Sequence, residues 1–264
     1  SATVEMMSFL IKREVSDKMW TPNLPFIFPS YVLDNMPNFQ LGLMSAVSNV
    51  SSSFAAKVDQ TIAPEKELPL KTAAELLKYP GTIWMFSPQN KLTPVPSANT
   101  QYKKARKQLV AYNRSLREGG SVFYKSPGDL AYFLQRMSKD LWLSNEKLEA
   151  HIREHSSDWV DNRSDDLFYY QQGKIYGYYL LMKALSYDYK DIILANDIYQ
   201  PWTQMVKALE EAVVLSPAVV RNGEPDSTLA PNHLSSIGYY SLKAALISQN
   251  MMCKLTLSAA QGKQ

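Results

Sequence analysis

The stretch Met36–Val58, MPNFQLGLMSAVSNVSSSFAAKV, decides the fold class. Met36, Phe39, Leu43, Val47, Val50, Phe54 and Val58 recur at spacings of three and four, one apolar stripe down a helix of about six turns. The opposite face is small and polar: Asn38, Ser45, Ser48, Asn49, Ser51 and Ser52. Such a helix is half buried among others of its kind. The same period recurs along the chain, so the expected fold is all-α, an irregular bundle of about eight helices, at least about 55% helical, without a central sheet.

The bulk composition agrees. A chain of 264 residues with 45% hydrophobic and 20% charged residues is long enough and apolar enough to bury a core without staples. A net charge of +3 does not call for nucleic acid. The single Cys253 excludes an internal disulfide and reads as a small core hydrophobe. The longest uncharged run, residues 35–56, is too rich in Ser, Asn and Gln to span a bilayer.

Punctuation sets the order of elements. A first helix over residues 3–19 stops at Pro22. Pro22, Pro25 and Pro29 among Leu24, Phe26, Ile27 and Phe28 describe a proline-rich apolar arm lying on the bundle. Asp34 or Asn35 then caps the second helix. A third covers Leu70–Lys78, and the proline-rich loop 80–96 is the one place for a subdivision of an otherwise single helical domain, 1–264. Ser97 caps a fourth helix, ended by Gly119-Gly120, and Ser126-Pro127-Gly128-Asp129 opens a fifth. The fifth either ends near Ser144-Asn145 or runs on through Leu148 and Ile152. Three more follow: Asp166–Tyr187, Pro201–Leu215 and one opened by Pro231.

Four groups of residues invite a functional reading. His151-Ile152-Arg153-Glu154-His155 places two imidazoles one helical turn apart beside a glutamate, the spacing of inverted zinc peptidases. No third ligand stands at a motif spacing, and a solvated helix end accounts for these residues better. The acids Asp158, Asp161, Asp165 and Asp166 lack the alternation and the glycine of a calcium loop, and a helix cap explains them. Lys103, Lys104, Arg106, Lys107, Arg114 and Arg117 lie mainly opposite the apolar stripe of the fourth helix, a face suited to an anionic membrane surface or to water. Eight tyrosines fall between residues 168 and 199, Tyr169 and Tyr176 among them, too many for one face, so several phenols reach a groove or the surface. Gly173 and Gly177, one turn apart, admit another backbone at close range. No Ser or Cys has a partner spaced to make it a nucleophile, and neither a cofactor nor nucleic acid is expected.

Three segments together resemble a known family: Tyr31-Val32-Leu33-Asp34-Asn35-Met36-Pro37-Asn38; Asp165-Asp166-Leu167-Phe168-Tyr169 with Gly173; and Asn222-Gly223 followed by Pro231-Asn232-His233. Over residues 20–60 and 160–258 they are similar to the uncharacterised bacterial envelope family known as domain of unknown function 2333. The resemblance implies a soluble region behind a basic tail and one membrane helix, hence on the periplasmic side of the inner membrane. An opening on Ser1, already in helical rhythm, fits a chain cut from such an anchor. The family carries no assigned activity.

The expected function is therefore a non-catalytic envelope domain that binds a protein partner. The alternatives are a helical carrier or sensor of a lipid or other apolar ligand and, behind it, a zinc-dependent hydrolase using His151, Glu154 and His155. Asp34, Asn35, Asn38, Asn222, Asn232 and His233 are expected to tie loops to helix ends, with the Asp34 and Asn232 segments meeting in space.

Overall fold

The computed structural model describes residues 1–24, 35–58, 67–85, 93–123, 125–155, 162–215 and 233–261. Among them 83% are helical and there is no strand, well past the content expected from the apolar periodicity. The helices are α1 (Ala2–Lys12), α2 (Asn35–Val58), α3 (Leu68–Leu77), α4 (Ala98–Arg117), α5 (Pro127–His155), α6 (Asn162–Asp188), α7 (Lys190–Ala195), α8 (Tyr199–Val213) and α9 (His233–Gln261). Most of the apolar arm, residues 25–34, lies outside the described residues, as do residues 86–92 and 216–232.

The α2 stripe works as its spacing requires. Leu43, Val47, Val50 and Phe54 are buried and Phe39 is partly so. Their main partner is α6, and the second large helix pairing is α5 with α9. At the far end of α2, Phe54 stacks on Phe133 of α5 at 4.6 Å between ring centroids. The α2–α6 crossing is close because glycine stands on both sides of it. A Cβ on Gly42 would overlap the carbonyl of Tyr170, and one on Gly173 would overlap the carbonyl of Phe39. Gly177 extends the contact, its missing Cβ lying 2.9 Å from that of Ala46.

Local capping follows the sequence. Ser97 Oγ accepts from the Thr100 amide and Ser126 Oγ from the Asp129 amide. Gly119 ends α4 at φ +75°, a conformation that suits glycine. Three expectations are corrected. The first helix does not stay regular to residue 19: it widens into a π turn at Arg13–Asp17, beside the fully buried Glu14. The sixth helix begins at Asn162 rather than near Asp166, and the chain after it forms the short α7. Cys253 is exposed rather than in the core.

Buried polar groups tie the N-terminal helix down. Glu14 pairs with Arg13 at 2.6 Å and accepts from Gln40 Nε2 at 3.2 Å. Gln40 Oε1 accepts from both the amide and the hydroxyl of Thr21. Trp20 donates to the carbonyl of Gly81 and meets Tyr102 of α4 edge-on at 5.1 Å. At the other end of α1, Asp188 accepts from the amides of Ala2 and Thr3 and from the Thr3 hydroxyl, capping α1 from the end of α6.

Candidate functional site

The polar face of α2 is half-buried and lines an open cleft. Ser45, Ser48, Asn49 and Ser52 recur at i, i+3, i+4 and i+7 and form one wall of a cleft of about 470 Å³. Parts of α3, α4, α5 and α6 close it, with Tyr170, Tyr79 and Arg136 on the other sides. The side chains of Ser45, Ser48, Asn49, Ser52 and Arg136 make no hydrogen bond or ion pair with any described residue. Among the described residues no acid lines the cleft.

A second constellation lies deeper between α5 and α6. Lys174, almost fully buried, donates to Asp140 at 3.0 Å and to Ser144 Oγ at 2.8 Å. Tyr178 donates to the other Asp140 oxygen at 2.7 Å. Burial, and next the Asp140 charge, push the Tyr178 phenol well above its ordinary pKa. A cavity of about 360 Å³ opens onto Asp140, Ser144 and Lys174. A serine beside a lysine has the composition of a nucleophile and its base, but here the ammonium is ion-paired and donates towards the hydroxyl. The four side chains form a satisfied polar tie. Sequence reading missed it. The signal was Lys174 one turn before the buried Tyr178, a charge at a core position of α6.

The third feature is the outer face of α4. Lys103, Lys104, Lys107, Arg114 and Arg117 are exposed, and Arg106 is half-buried. None of the six pairs with an acid among the described residues, and Ala98–Arg117 contains no Asp or Glu. Beside them a groove of about 290 Å³ runs between α1 and α4 over Val4, Leu109 and Val110, with the half-exposed Phe9 on its lip. Lys12, Arg106 and Arg117 rim the groove, opposed by Glu5. Arg106 Nε is buried there without a hydrogen-bond partner among the described residues.

Other candidates are dispersed. His151 is buried, not at a solvated helix end, and its Nε2 stands 3.2 Å from Ser164 Oγ of α6. Glu154 points to solvent, and the side chain of His155 is outside the described residues. No group of three ligating side chains stands together among the described residues. Tyr169 is half-buried edge-on to Phe168, and Tyr176 accepts from Arg13 at 2.6 Å. Asn35 and His233 are half-buried at the starts of α2 and α9. Asp34, Asn222 and Asn232 lie outside the described residues, so the proposed meeting of their segments does too. Asn38 bonds to the Asp166 carboxylate rather than to backbone. It thereby joins the first of the three resembling segments to the second.

No helix among the described residues is long and apolar enough to cross a membrane. No curated protein and no solved structure matches the chain. One family does, over residues 24–162 and 142–254, which takes in the basic helix and the His151 region as well as the three segments quoted above. The chain belongs to the family described as uncharacterized protein conserved in bacteria, DUF2333.

Proposed function

We propose that this chain is a non-catalytic helical domain of the bacterial envelope, on the periplasmic side of the inner membrane, that docks an acidic protein partner along α1 and α4. The observation that carries the reading is the α4 face: six cations on twenty residues, no acid on the same helix, and an apolar groove alongside. Like charges at this density repel one another and are tolerated because a partner or counterions neutralise them. The concave groove favours a protein over a bilayer. A flat lipid surface rests on convex ground, whereas side chains of a docked helix or loop can enter between Phe9 and Leu109. The location rests on the family resemblance alone. The Lys174–Asp140 tie, with its proton already committed, supports the non-catalytic part.

A photoreactive residue placed at Lys107 or Val110 of the full-length protein in cells tests this. Both positions are expected to give one discrete protein adduct, absent from a control at Tyr239 on α9 and lost with Lys103→Glu plus Lys107→Glu. Adducts with lipid only, or none, would overturn the reading.

A further inference from the structure

We propose that the α1–α4 groove takes an amphipathic helix of the partner whose acidic residues lie on one flank only, the flank beside α4. The inference rests on the docking reading above and adds what the docked segment must present.

The first observation is that the two walls of the groove differ in charge. On α4, Lys103, Lys107 and Arg114 are exposed at i, i+4 and i+11. They therefore share one flank of the helix, next to the groove residues Val110 and Arg117. Together they make a cationic rail about 16 Å long, from a rise of 1.5 Å per residue. Lys104 is exposed too, but it is turned about 100° from Lys103 and away from the groove. The α1 wall carries Glu5, Phe9 and Lys12. Lys12 is neutralised by Asp17 at 2.9 Å, which leaves Glu5, unpaired among the described residues, to set the sign of this wall.

The second is the form of the occupant. Val4, Leu109 and Val110 make the floor apolar, and both walls are helices that offer side chains rather than open backbone. An extended segment laid there would press its own N–H and C=O groups against hydrocarbon without partners. A helix satisfies its backbone internally, and about three turns of it cover the length of the rail.

The third is that the walls together choose the flank. Acids beside α4 meet Lys103, Lys107 and Arg114, whereas acids beside α1 meet the like charge of Glu5. A helix with carboxylates on both flanks gains on one side and loses on the other. A helix with acids on one flank gains without the loss. Either flank serves, because the helix can lie in the groove in either direction.

Fluorescence anisotropy with two labelled helical peptides, titrated with the whole chain at one ionic strength, tests this. Both peptides are stapled on the outward face and carry the same Leu stripe and the same number of Glu residues. In one the acids all lie on one flank, and in the other they are divided equally between the two. The one-flank peptide should bind at least about fivefold more tightly. Lys103→Glu should weaken it by about fivefold, whereas Lys104→Glu, the same change of charge one residue away, should stay within about twofold. Glu5→Lys should bring the divided peptide to within about twofold of the other. All three side chains are exposed, so the variants keep the fold. Equal affinity of the two peptides, or an equal loss with Lys104→Glu, overturns the inference and leaves a partner read by its acidity alone. If neither peptide binds while the adduct at Lys107 or Val110 persists in cells, the inference falls and the docking reading stands. Absence of that adduct removes both.

Discussion

The backbone carbonyl of Phe39 on α2 occupies the place where Gly173 of α6 would carry a Cβ, and the carbonyl of Tyr170 stands in the same relation to Gly42. Each helix thus meets the other's backbone at a position where only glycine fits. Gly173→Ala gains about 1 kcal/mol of helix propensity, yet the backbones must part, at a larger cost. A net destabilisation of at least about 2 kcal/mol is expected in urea unfolding. Gly128→Ala, with only Ser126 Oγ at 3.7 Å, should be near neutral in the same assay.

Phe54→Ala removes a ring buried against Phe133 and Phe123. The expected loss is about 3–5 kcal/mol, visible as a lower denaturation midpoint with an unchanged slope. A shift under about 1 kcal/mol would mean that the α2 stripe faces something other than the core.

The Lys174–Asp140 pair should show the asymmetry of buried charges. Asp140→Ala strands the Lys174 ammonium and is expected to cost about 3 kcal/mol, the low end for such pairs because Asp140 keeps an edge in water. Combining Asp140→Leu with Lys174→Met should recover most of that loss. Ser144→Ala should cost about 1 kcal/mol and change no function in cells. A silent Asp140→Ala with a null phenotype for Ser144→Ala would instead reveal a catalytic serine.

Asn145 is buried with neither Oδ1 nor Nδ2 hydrogen-bonded among the described residues. Replacing an unsatisfied amide by a hydrocarbon of similar size removes a desolvation cost of about 1–3 kcal/mol, so Asn145→Leu should raise the melting temperature. A fall in melting temperature would mean that a bound water already satisfies the amide.

Four core phenols make the fold sensitive to alkali. Burial raises the pKa of Tyr102, Tyr112, Tyr178 and Tyr189, with Glu67 adding at Tyr112, Asp140 at Tyr178 and Asp129 at Tyr189. The folded state therefore holds these protons more tightly than the unfolded chain, whose phenols ionise near about 10. Their contribution is complete below that pH and is lost as pH rises above it. The phenolate absorbance of these four rings should appear together with loss of helical circular dichroism. A rise that precedes unfolding would show that the rings reach solvent in the native state.

Much of this architecture is written in local spacing. The α2 stripe, the glycine pair on α6, the Ser97 and Ser126 caps and the outward cations of α4 all follow from period and punctuation. What spacing cannot carry is which faces meet. The cleft needs Arg136 from α5 opposite a polar ridge on α2, and the Lys174 tie joins residues 34 positions apart. His151 reads as a surface residue from its acidic and basic neighbours, yet the turn it occupies on α5 faces Ser164. The π turn in the first helix is invisible to a count of apolar residues, because it serves Glu14, a charge held by Arg13 and Gln40.

The cap that Asp188 places on α1 has a consequence for biogenesis. The α1 helix finds its acceptor 185 residues later in the chain, and its packing partner α4 only after residue 98. Until α4 and α6 are both complete, Val4, Met7, Leu10 and Ile11, all buried in the finished fold, lack part of their cover. The nascent chain should carry an amphipathic, chaperone-accessible helix until then, and α1 should gain its full protection from hydrogen exchange only after α6 has formed. Replacing Asp188 by Asn, which keeps the shape and drops the charge, should delay that last step while sparing the earlier ones.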